Sequence, residues 1–409
     1  MSNTKVIIAG GGIAGPVLAI FLKLKGYEPV VYERADSPTG LGLSLCLQPN
    51  GLKVLALIPG LVESIVGKEI EKMKFVSVLE EDAGVLAQSD ALSQVSARFG
   101  FRLRGTRRPV FHRTLLAAAE RHGVRVVFGH QLVALEQDDE SVRVTFANGH
   151  TDSASFVVGC DGLHSNTRVC LFGKEEATFT GLTQASGLAS GSECALIVNF
   201  SDRRDLPYGA HMIYYPINDK QISWAITLQE PEAKETWRDM DEDRQREFKK
   251  GQFSQWGFGA GELVKTADTL VKYGLYDRPE LQTWHKGRVV LLGDAAHPTS
   301  PVPPRAGRQS GVRGHLPLCA AAHAAQPDRR GAVHGDALRG VRGARAAAHP
   351  AHVVAREEGR EQGEGRVVHG VERRKVCNDA VRAAWKDEGN MVQGYAMLFE
   401  QPFTGKSEI

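Results

Sequence analysis

Glycines and one carboxylate near the start of the chain have the spacing of a phosphate-binding turn. Gly10, Gly12 and Gly15 form a G-x-G-x-x-G motif, and Glu33 follows after a helical and a strand-like run. The first glycine permits a tight turn, the second lets a phosphate approach the backbone, and the third lets a helix pack closely on a strand. A carboxylate in the position of Glu33 accepts hydrogen bonds from a ribose. These residues predict a dinucleotide site, with a glycine-rich packing turn as the alternative.

Two further carboxylates follow apolar runs later in the chain. Asp161 lies in the segment G-C-D-G at 159–162, and Asp294 lies in G-D-A-A-H-P at 293–298, after the run V-V-L-L. A Gly-Asp pair on a loop after a buried strand presents a carboxylate to a sugar-phosphate chain. An Asp-Gly pair alone is also typical of an ordinary turn, so the interpretation of Asp161 depends on the other motifs.

The elements that must position these motifs predict an α/β fold. Residues 4–9 are a β-branched run typical of buried parallel strands, residues 17–24 have helical spacing, and residues 29–32 form a second strand. Between 192 and 229, strand-like runs alternate with polar turns, which predicts an antiparallel sheet. Strand side chains alternate, so only one of Tyr214 and Tyr215 can face the buried side. Tyr215 is the first candidate for a pocket residue, with packing in the sheet as the alternative.

Taken in order, the three motifs resemble those of the single-component FAD-dependent aromatic hydroxylases, the para-hydroxybenzoate hydroxylase-like monooxygenases. The segments G-L-G-L-S at 40–44, Q-P-N-G-L at 48–52 and F-H-R-T-L-L at 111–116 look like further parts of that family. The resemblance covers roughly residues 4–302. It implies a Rossmann-type FAD-binding domain with an inserted antiparallel-sheet substrate domain.

The resemblance also implies roles for individual residues. It assigns cofactor binding to the following residues: Gly10, Gly12, Gly15, Glu33, Arg34, Gly42, Arg113, Asp161 and Asp294. Asp294 is expected at the ribityl chain, and Asp161 is expected to help through structure as much as through contact. Tyr215 is the candidate catalytic residue. Ser186 stands where many relatives have an arginine, which makes an anionic aromatic acid a poor substrate.

The implied reaction is a monooxygenation. NAD(P)H serves as transient reductant of FAD, and one oxygen atom of O₂ passes to an aromatic or polyketide- or terpenoid-like small molecule by hydroxylation or epoxidation. A flavin-dependent oxidase or halogenase on the same fold is the alternative. The chain has no W-x-W-x-I-P motif, because Trp224 stands in S-W-A-I, and this disfavours the halogenase.

The resemblance stops where the composition changes. Between 303 and 375 there is no Phe, Tyr, Trp, Ile, Met, Asn or Thr, while thirteen Arg and one Lys stand against seven acidic residues. Evolved linkers are rich in Ser, Lys and Glu, and helices show apolar periodicity. This segment has neither property, and we expect it to be irregular.

The genetic code offers an explanation for the segment. Residues 305–316 can be encoded so that removal of one base yields Gly-Gln-Gly-Gly-Asn-Gln-Ala-Phe-Glu-Asp-Thr, which resembles the glycine-rich loop and helix start of the family. A frameshift or a misplaced intron boundary is therefore the leading hypothesis, with frame restored by about Val376. The chain would then be an impaired or inactive product. A basic segment that binds nucleic acid is the alternative, and the lack of aromatic residues for base stacking disfavours it.

The predicted domain boundaries follow from these changes of pattern. They are 1–175 for the first part of the FAD-binding domain, 176–268 for the substrate domain, 269–302 for the return segment, 303–375 for the anomalous segment, and 376–409 for a C-terminal helix and tail.

The composition of the whole chain is that of an ordinary globular protein, with 42% hydrophobic and 24% charged residues and a formal net charge of +2. Its 6 cysteines include no C-x-x-C pair, which indicates a reduced, intracellular protein and no metal site. No leader and no membrane-spanning run is evident. We therefore expect a cytoplasmic enzyme whose partners are a small molecule and O₂, without nucleic acid, membrane span or metal.

Overall fold

The structure is a computed structural model that describes residues 4–38, 42–78, 84–192, 195–201, 210–230, 238–278, 281–297, 371–386, 389 and 392–393. Within these residues the strands form four sheets of six, eight, three and three strands. The six-stranded and eight-stranded sheets are the centres of the two main layers of the molecule.

The six-stranded sheet is the parallel sheet that the first strand predicts. Its order is β19-β20-β12-β1-β2-β8, and every pair is parallel except the antiparallel edge pair of β19 and β20. The strands are β1 (Lys5–Ala9), β2 (Glu28–Tyr32), β8 (Arg125–Val127), β12 (Phe156–Gly159), β19 (His285–Lys286) and β20 (Val289–Leu291).

Alternate residues of β1 enter two different cores. Val6 and Ile8 pack with helices on one face of the sheet, and Ile7 packs with a small antiparallel sheet on the other. A parallel strand covered on both faces requires an apolar side chain at every position, which explains its continuous β-branched run. The helices are α1 (Ala14–Leu24), α2 (Pro49–Ala56) and α4 (Arg108–Arg121); the small sheet is β9 (Leu132–Gln137), β10 (Val142–Phe146) and β11 (Thr151–Ala154), with α5 (Asn166–Phe172) beside it.

The eight-stranded sheet is largely antiparallel, and apolar clusters lie on both of its faces. Its order is β17-β18-β13-β16-β15-β14-β5-β6. Trp224 and Tyr214 lie on one face, packed with the residues of α6, a 3-10 turn and α7. The elements are β5 (Lys72–Ser77), β6 (Gly84–Ser89), β13 (Thr178–Ser190), β14 (Ala195–Ser201), β15 (Ala210–Pro216), β16 (Gln221–Gln229), β17 (Arg238–Asp239), β18 (Thr269–Asp277), α6 (Glu242–Lys250), the 3-10 turn (Gln252–Gln255) and α7 (Ala260–Lys265).

The large sheet crosses the predicted domain boundaries. β5 and β6 come from the stretch 1–175, and β18 comes from the stretch 269–302, yet both flank strands of 176–268 in one ladder. The pairing of β5 with β14 is parallel and joins segments far apart in sequence, so no local pattern marks it.

A third sheet connects the two layers. β3 (Ser44–Leu47) and β4 (Lys68–Glu69) pair with β7 (Arg104–Arg107), and α3 (Ala91–Phe99) follows β6. A Cβ atom on Gly105 would lie 1.9 Å from the carbonyl oxygen of Pro216 at the end of β15. The contact is too close for a side chain, so Gly105 sets how near the small sheet approaches the large one.

After residue 297, the next described element is the helix α8 (Val371–Ala384). The Trp385 ring lies 4.6 Å from that of Phe75, and Asn378 Nδ2 donates a 3.1 Å hydrogen bond to Ser77 Oγ in the large sheet. The expectation of irregular structure over 303–375 is wrong for 371–375, because charged helix formers extend the docked helix backwards. Residues 303–370 lie outside the described residues. No helix in the described part of the chain is long and apolar enough to cross a membrane.

Candidate functional site

The first glycine motif forms a turn, and its three glycines have different surroundings. Gly10 has a φ of +109°, and a Cβ atom on it would lie 2.4 Å from the carbonyl oxygen of Cys160. A Cβ atom on Gly15 would lie 2.0 Å from the carbonyl oxygen of Gly10. Packing within the chain therefore requires both glycines.

Gly12 differs because, among the described residues other than its two chain neighbours, no atom lies within 4 Å of a Cβ atom built on it, and its φ is not in the left-handed region. Neither packing nor backbone conformation requires glycine at this position. The helix α1 begins directly afterwards, and Ile13 provides no side-chain cap for its backbone N–H groups. Open space before an uncapped helix N-terminus suits an anionic group such as a pyrophosphate.

Glu33 closes the turn from the end of β2. Its Oε2 accepts a 2.7 Å hydrogen bond from the Gly11 backbone N–H, and its Oε1 accepts one of 2.9 Å from the Ala35 N–H. His112 supports the same turn from α4, with its Nε2 at 2.6 Å from the Gly11 carbonyl oxygen. The next residue, Arg34, has an exposed side chain.

Asp161 follows β12, and the protein itself satisfies its carboxylate. Oδ2 accepts hydrogen bonds of 2.9 Å from both the backbone N–H and the hydroxyl of Thr167, and Oδ1 accepts one of 2.5 Å from Ser165. Ser165 in turn caps α5 by accepting the Arg168 N–H at 2.9 Å. Burial raises the pKa of Asp161, and these donors oppose the shift. The carboxylate fixes the loop on which Gly10 packs.

Asp294 follows the neighbouring strand β20, and its side chain has different surroundings from that of Asp161. It stands in a 3-10 turn (Gly293–Ala295), where its side chain is exposed while Gly293 and Ala295 are buried. Desolvation by the surrounding protein nevertheless raises the pKa of the Asp294 carboxyl, and the guanidinium of Arg108 lowers it. A side chain that is both accessible and surrounded by protein lies in the wall of a cleft.

Gly42 lies against the start of α4, the helix that also carries Arg113. Gly42 has a φ of +84°, and the side chain that lies against it belongs to Arg108, the first residue of α4. Arg113 is exposed on α4, one residue after His112. The structure thus places Gly10, Gly12, Gly15, Glu33, Asp161 and Asp294 at the carboxyl edge of the parallel sheet, where open α/β sheets bind ligands.

Tyr215 lies where the FAD-binding layer meets the large sheet. Its hydroxyl is 2.8 Å from Ser44 Oγ on β3, and Ser44 donates a 2.6 Å hydrogen bond to Ser223 on β16. Burial raises the pKa of Tyr215. Tyr214 points the opposite way into the apolar core, and its hydroxyl donates a 2.5 Å hydrogen bond to the Phe258 carbonyl oxygen.

On the face of the large sheet opposite Trp224, Tyr215 packs beside an apolar cluster that includes Phe75, and hydroxyl and amide groups lie beside it together with the buried His211. Gln184 accepts a hydrogen bond from the Tyr273 hydroxyl and donates one of 3.3 Å to Thr227 Oγ1. Ser186 also interacts with the Tyr273 hydroxyl, whose pKa burial raises to about 12. Hydroxyl and amide groups of this kind orient a ligand by hydrogen bonds without a formal charge.

Sequence reasoning did not select Arg108, His112, Ser44, Ser223, Gln184 or Tyr273 as site residues. Arg108 stands beside Arg107 before a proline, which indicates a helix start rather than a binding residue. Ser44 lies within the quoted segment G-L-G-L-S. Gln184 and Ser186 lie outside the strands that the sequence predicted, and they belong to β13 (Thr178–Ser190).

Comparison with known proteins agrees with this architecture. Residues 3–305 match the protein family described as FAD binding domain. The chain is 30% identical over 305 residues to the FAD-dependent urate hydroxylase of Mycolicibacterium vanbaalenii, covering 73% of this chain and 74% of that protein. It is 27% identical over 304 residues to 3-amino-4-hydroxybenzoate 2-monooxygenase of Streptomyces cremeus, with the same coverage of 73% and 74%.

A solved structure extends the likeness to the fold. Klebsiella pneumoniae HpxO, complexed with FAD and uric acid, matches with a TM-score of 0.79 at 20% sequence identity, covering 97% of this chain and 96% of that one. The chain belongs to the FAD-dependent monooxygenase family of aromatic hydroxylases. The predicted family, the α/β fold class and FAD as cofactor are confirmed, and NAD(P)H is the reductant typical of the family.

Proposed function

We propose that the scaffold serves an NAD(P)H- and O₂-dependent monooxygenase that hydroxylates or epoxidises an uncharged aromatic or polyketide- or terpenoid-like molecule. The observation that carries the proposal is the group of uncharged hydrogen-bonding side chains on one face of the large sheet, Gln184, Ser186 and Tyr215. An anionic substrate would need a cationic partner on this face, because an unpaired charge is costly to bury. Relatives are named for urate and for 3-amino-4-hydroxybenzoate; the latter is a carboxylate, and we propose that this chain differs from that relative in taking an uncharged ring.

FAD, when bound and reduced by NAD(P)H, supplies the chemistry that activates O₂. The residues of the chain then have three tasks. We propose that Gly10, Gly12, Gly15 and Glu33 receive the adenosine half and the phosphates, with Arg34 and Arg113 at the rim.

The remaining tasks concern the ribityl chain and the substrate. We propose that Asp294 accepts a hydrogen bond from a ribityl hydroxyl, while Asp161 holds the loop under Gly10. Tyr215 orients the substrate through its hydroxyl, which Ser44 positions. The layers around this cleft exclude water from the reacting atoms, which is the usual contribution of protein to flavin chemistry.

Incorporation of labelled oxygen tests the reaction class. The purified protein, supplied with FAD, NAD(P)H and ¹⁸O₂, is to be screened against uncharged phenols, purines and polycyclic ketones, with the matching carboxylates as controls. A monooxygenase gives product that contains one ¹⁸O atom, and the uncharged compounds stimulate NAD(P)H oxidation more than the carboxylates. Oxidised product without the label, with hydrogen peroxide formed instead, would identify an oxidase.

We further propose that the chain as written carries a frameshifted segment that impairs this activity. The family match ends at residue 305, where the Arg- and Ala-rich segment begins. In α8 the chain again has side chains that fit the large sheet, which supports a restored frame before Asn378. Sequencing of the transcript across codons 300–380 tests the proposal, and an unbroken frame that encodes this protein contradicts it.

A further inference from the structure

Arg108 is a half-buried cation that none of the predicted roles includes. It begins α4, and its backbone N–H donates a 3.1 Å hydrogen bond to the Leu43 carbonyl oxygen. Leu43 directly follows Gly42, so this bond ties the start of the helix to the loop that lies along the cofactor cleft. Four residues later, His112 contacts the Gly11 carbonyl oxygen at 2.6 Å. The first five residues of α4 therefore connect the Gly42 loop with the glycine turn at 10–15.

The side chain of Arg108 lies along the backbone of Gly42. A Cβ atom on Gly42 would lie 2.6 Å from Cδ and 3.3 Å from Nη1 of Arg108. Gly42 also has a φ of +84°, so any other residue would be strained there and would displace the guanidinium. The position of the cation is thus fixed by the local fold.

The positive charge of Arg108 interacts with the carboxylate of Asp294. Burial lowers the pKa of its guanidinium, and Asp294 counteracts that shift from the opposite segment. Placing a guanidinium in a protein cleft is costly unless anions lie nearby. The diphosphate of FAD supplies two negative charges, and the planar guanidinium is well suited to phosphate oxygens.

We propose that Arg108 is a cofactor-binding residue, whose guanidinium donates hydrogen bonds to the phosphate–ribityl part of FAD between Gly42 and Asp294. The inference depends on FAD as the cofactor and not on the identity of the substrate. It assigns to Arg108 a direct contact with the cofactor, as distinct from a structural role in holding Gly42 or Asp294.

Titration of FAD into the apoprotein, followed by quenching of flavin fluorescence, tests the assignment. Arg108→Gln is expected to raise the Kd for FAD by about 10- to 100-fold, because a charge-assisted hydrogen bond is lost. Arg108→Lys keeps the charge and should give an intermediate Kd. Arg107→Gln removes the same charge from the exposed neighbouring side chain, and it should leave the Kd within about two-fold.

Two further measurements separate direct binding from a structural role. The thermal unfolding midpoint of the apoprotein should be nearly the same in Arg108→Gln and in Arg107→Gln. The double variant Arg108→Gln/Asp294→Asn should bind FAD no better than Arg108→Gln alone. Restored affinity in the double variant would show that Arg108 acts only by neutralising Asp294, and equal Kd values for Arg108→Gln and the unmodified chain would overturn the proposal.

The titration is run on the chain as written and on a full-length chain with the frame restored over 303–370. A selective effect of Arg108→Gln in either chain supports the contact. If neither chain binds FAD with Arg108 in place, the inference and the cofactor assignment both fail. If both bind but no substrate is oxygenated, only the proposed reaction fails.

Discussion

Asp161 and Asp294 occupy corresponding places in the fold and yet have different surroundings. Each follows a parallel strand, and those strands, β12 and β20, are neighbours in the six-stranded sheet. Ser165 and Thr167 take up both oxygens of Asp161, whereas Asp294 projects from its turn into the cleft opposite Arg108. One carboxylate builds the site, and the other is available to a ligand. Similar motifs thus do not imply similar roles.

The same contrast applies to other residues of the site. Gly15 is required by packing within the protein, while Gly12 faces open space. Tyr214 belongs to the apolar core, while Tyr215 lies on the opposite face of the same strand. Each pair combines a residue that builds the fold with one that faces the ligand, so stability and FAD or substrate binding should respond separately.

The largest expected difference is between the two glycines. Gly15→Ala places a Cβ atom against the Gly10 carbonyl oxygen, and we expect the free energy of unfolding to fall by about 3 kcal/mol or more. Gly12→Ala should change it by less than about 1 kcal/mol while raising the Kd for FAD at least about ten-fold, since the methyl group would occupy the approach of the phosphates. Denaturant unfolding and FAD titration measure the two effects. Equal loss of stability in both variants would contradict the distinction.

The two aspartates should show a smaller but clear separation. Asp161→Ala leaves Ser165 and Thr167 without their acceptor, and we expect a loss of about 2–4 kcal/mol of folding free energy. Asp294→Ala should leave the stability of the apoprotein within about 1 kcal/mol and raise the Kd for FAD about 10-fold. Chemical denaturation of both apoproteins, followed by fluorescence titration with FAD, is the measurement. A variant of Asp294 that binds FAD normally would remove it from the site.

The tyrosines give the smallest expected change in stability. Tyr214→Phe removes the hydrogen bond to Phe258 and should cost about 1 kcal/mol of folding free energy. Tyr215→Phe should change stability by less than about 1 kcal/mol, because its hydroxyl lies at the cleft beside Ser44. Substrate-stimulated NAD(P)H oxidation should fall in Tyr215→Phe and remain in Tyr214→Phe. The reverse pattern would place the functional hydroxyl on the other face of the sheet.

Local pattern was sufficient to predict the Rossmann layer. The β-branched strand, the glycines and the terminal acid occur within some thirty residues, and their spacing specifies both the turn and the sheet. The antiparallel sheet was also predicted, because alternation and polar turns mark its strands. Which of Tyr214 and Tyr215 faces the apolar core could be stated only as an alternative, since strand alternation does not say which face is buried.

The parts that were not predicted depend on contacts between distant segments. The parallel pairing of β5 with β14 brings 72–77 into the large sheet, and it leaves no mark in either segment alone. Arg108 joins the site only because Gly42 and Asp294 fold beside it. Ser44 and Ser223 meet across the boundary between the two layers. Neither the residue types of Arg108, Ser44 and Ser223 nor their neighbours in the sequence mark them as site residues.

The flavin content of two purified proteins tests the account most directly. One is the chain as written, and the other has the frame restored over 303–370; both are purified without added FAD, and the visible absorption of bound flavin is measured per mole of protein. We expect close to one FAD per chain in the restored protein and much less in the chain as written. Equal, stoichiometric flavin in both would contradict the frameshift account, and no flavin in either would contradict the site.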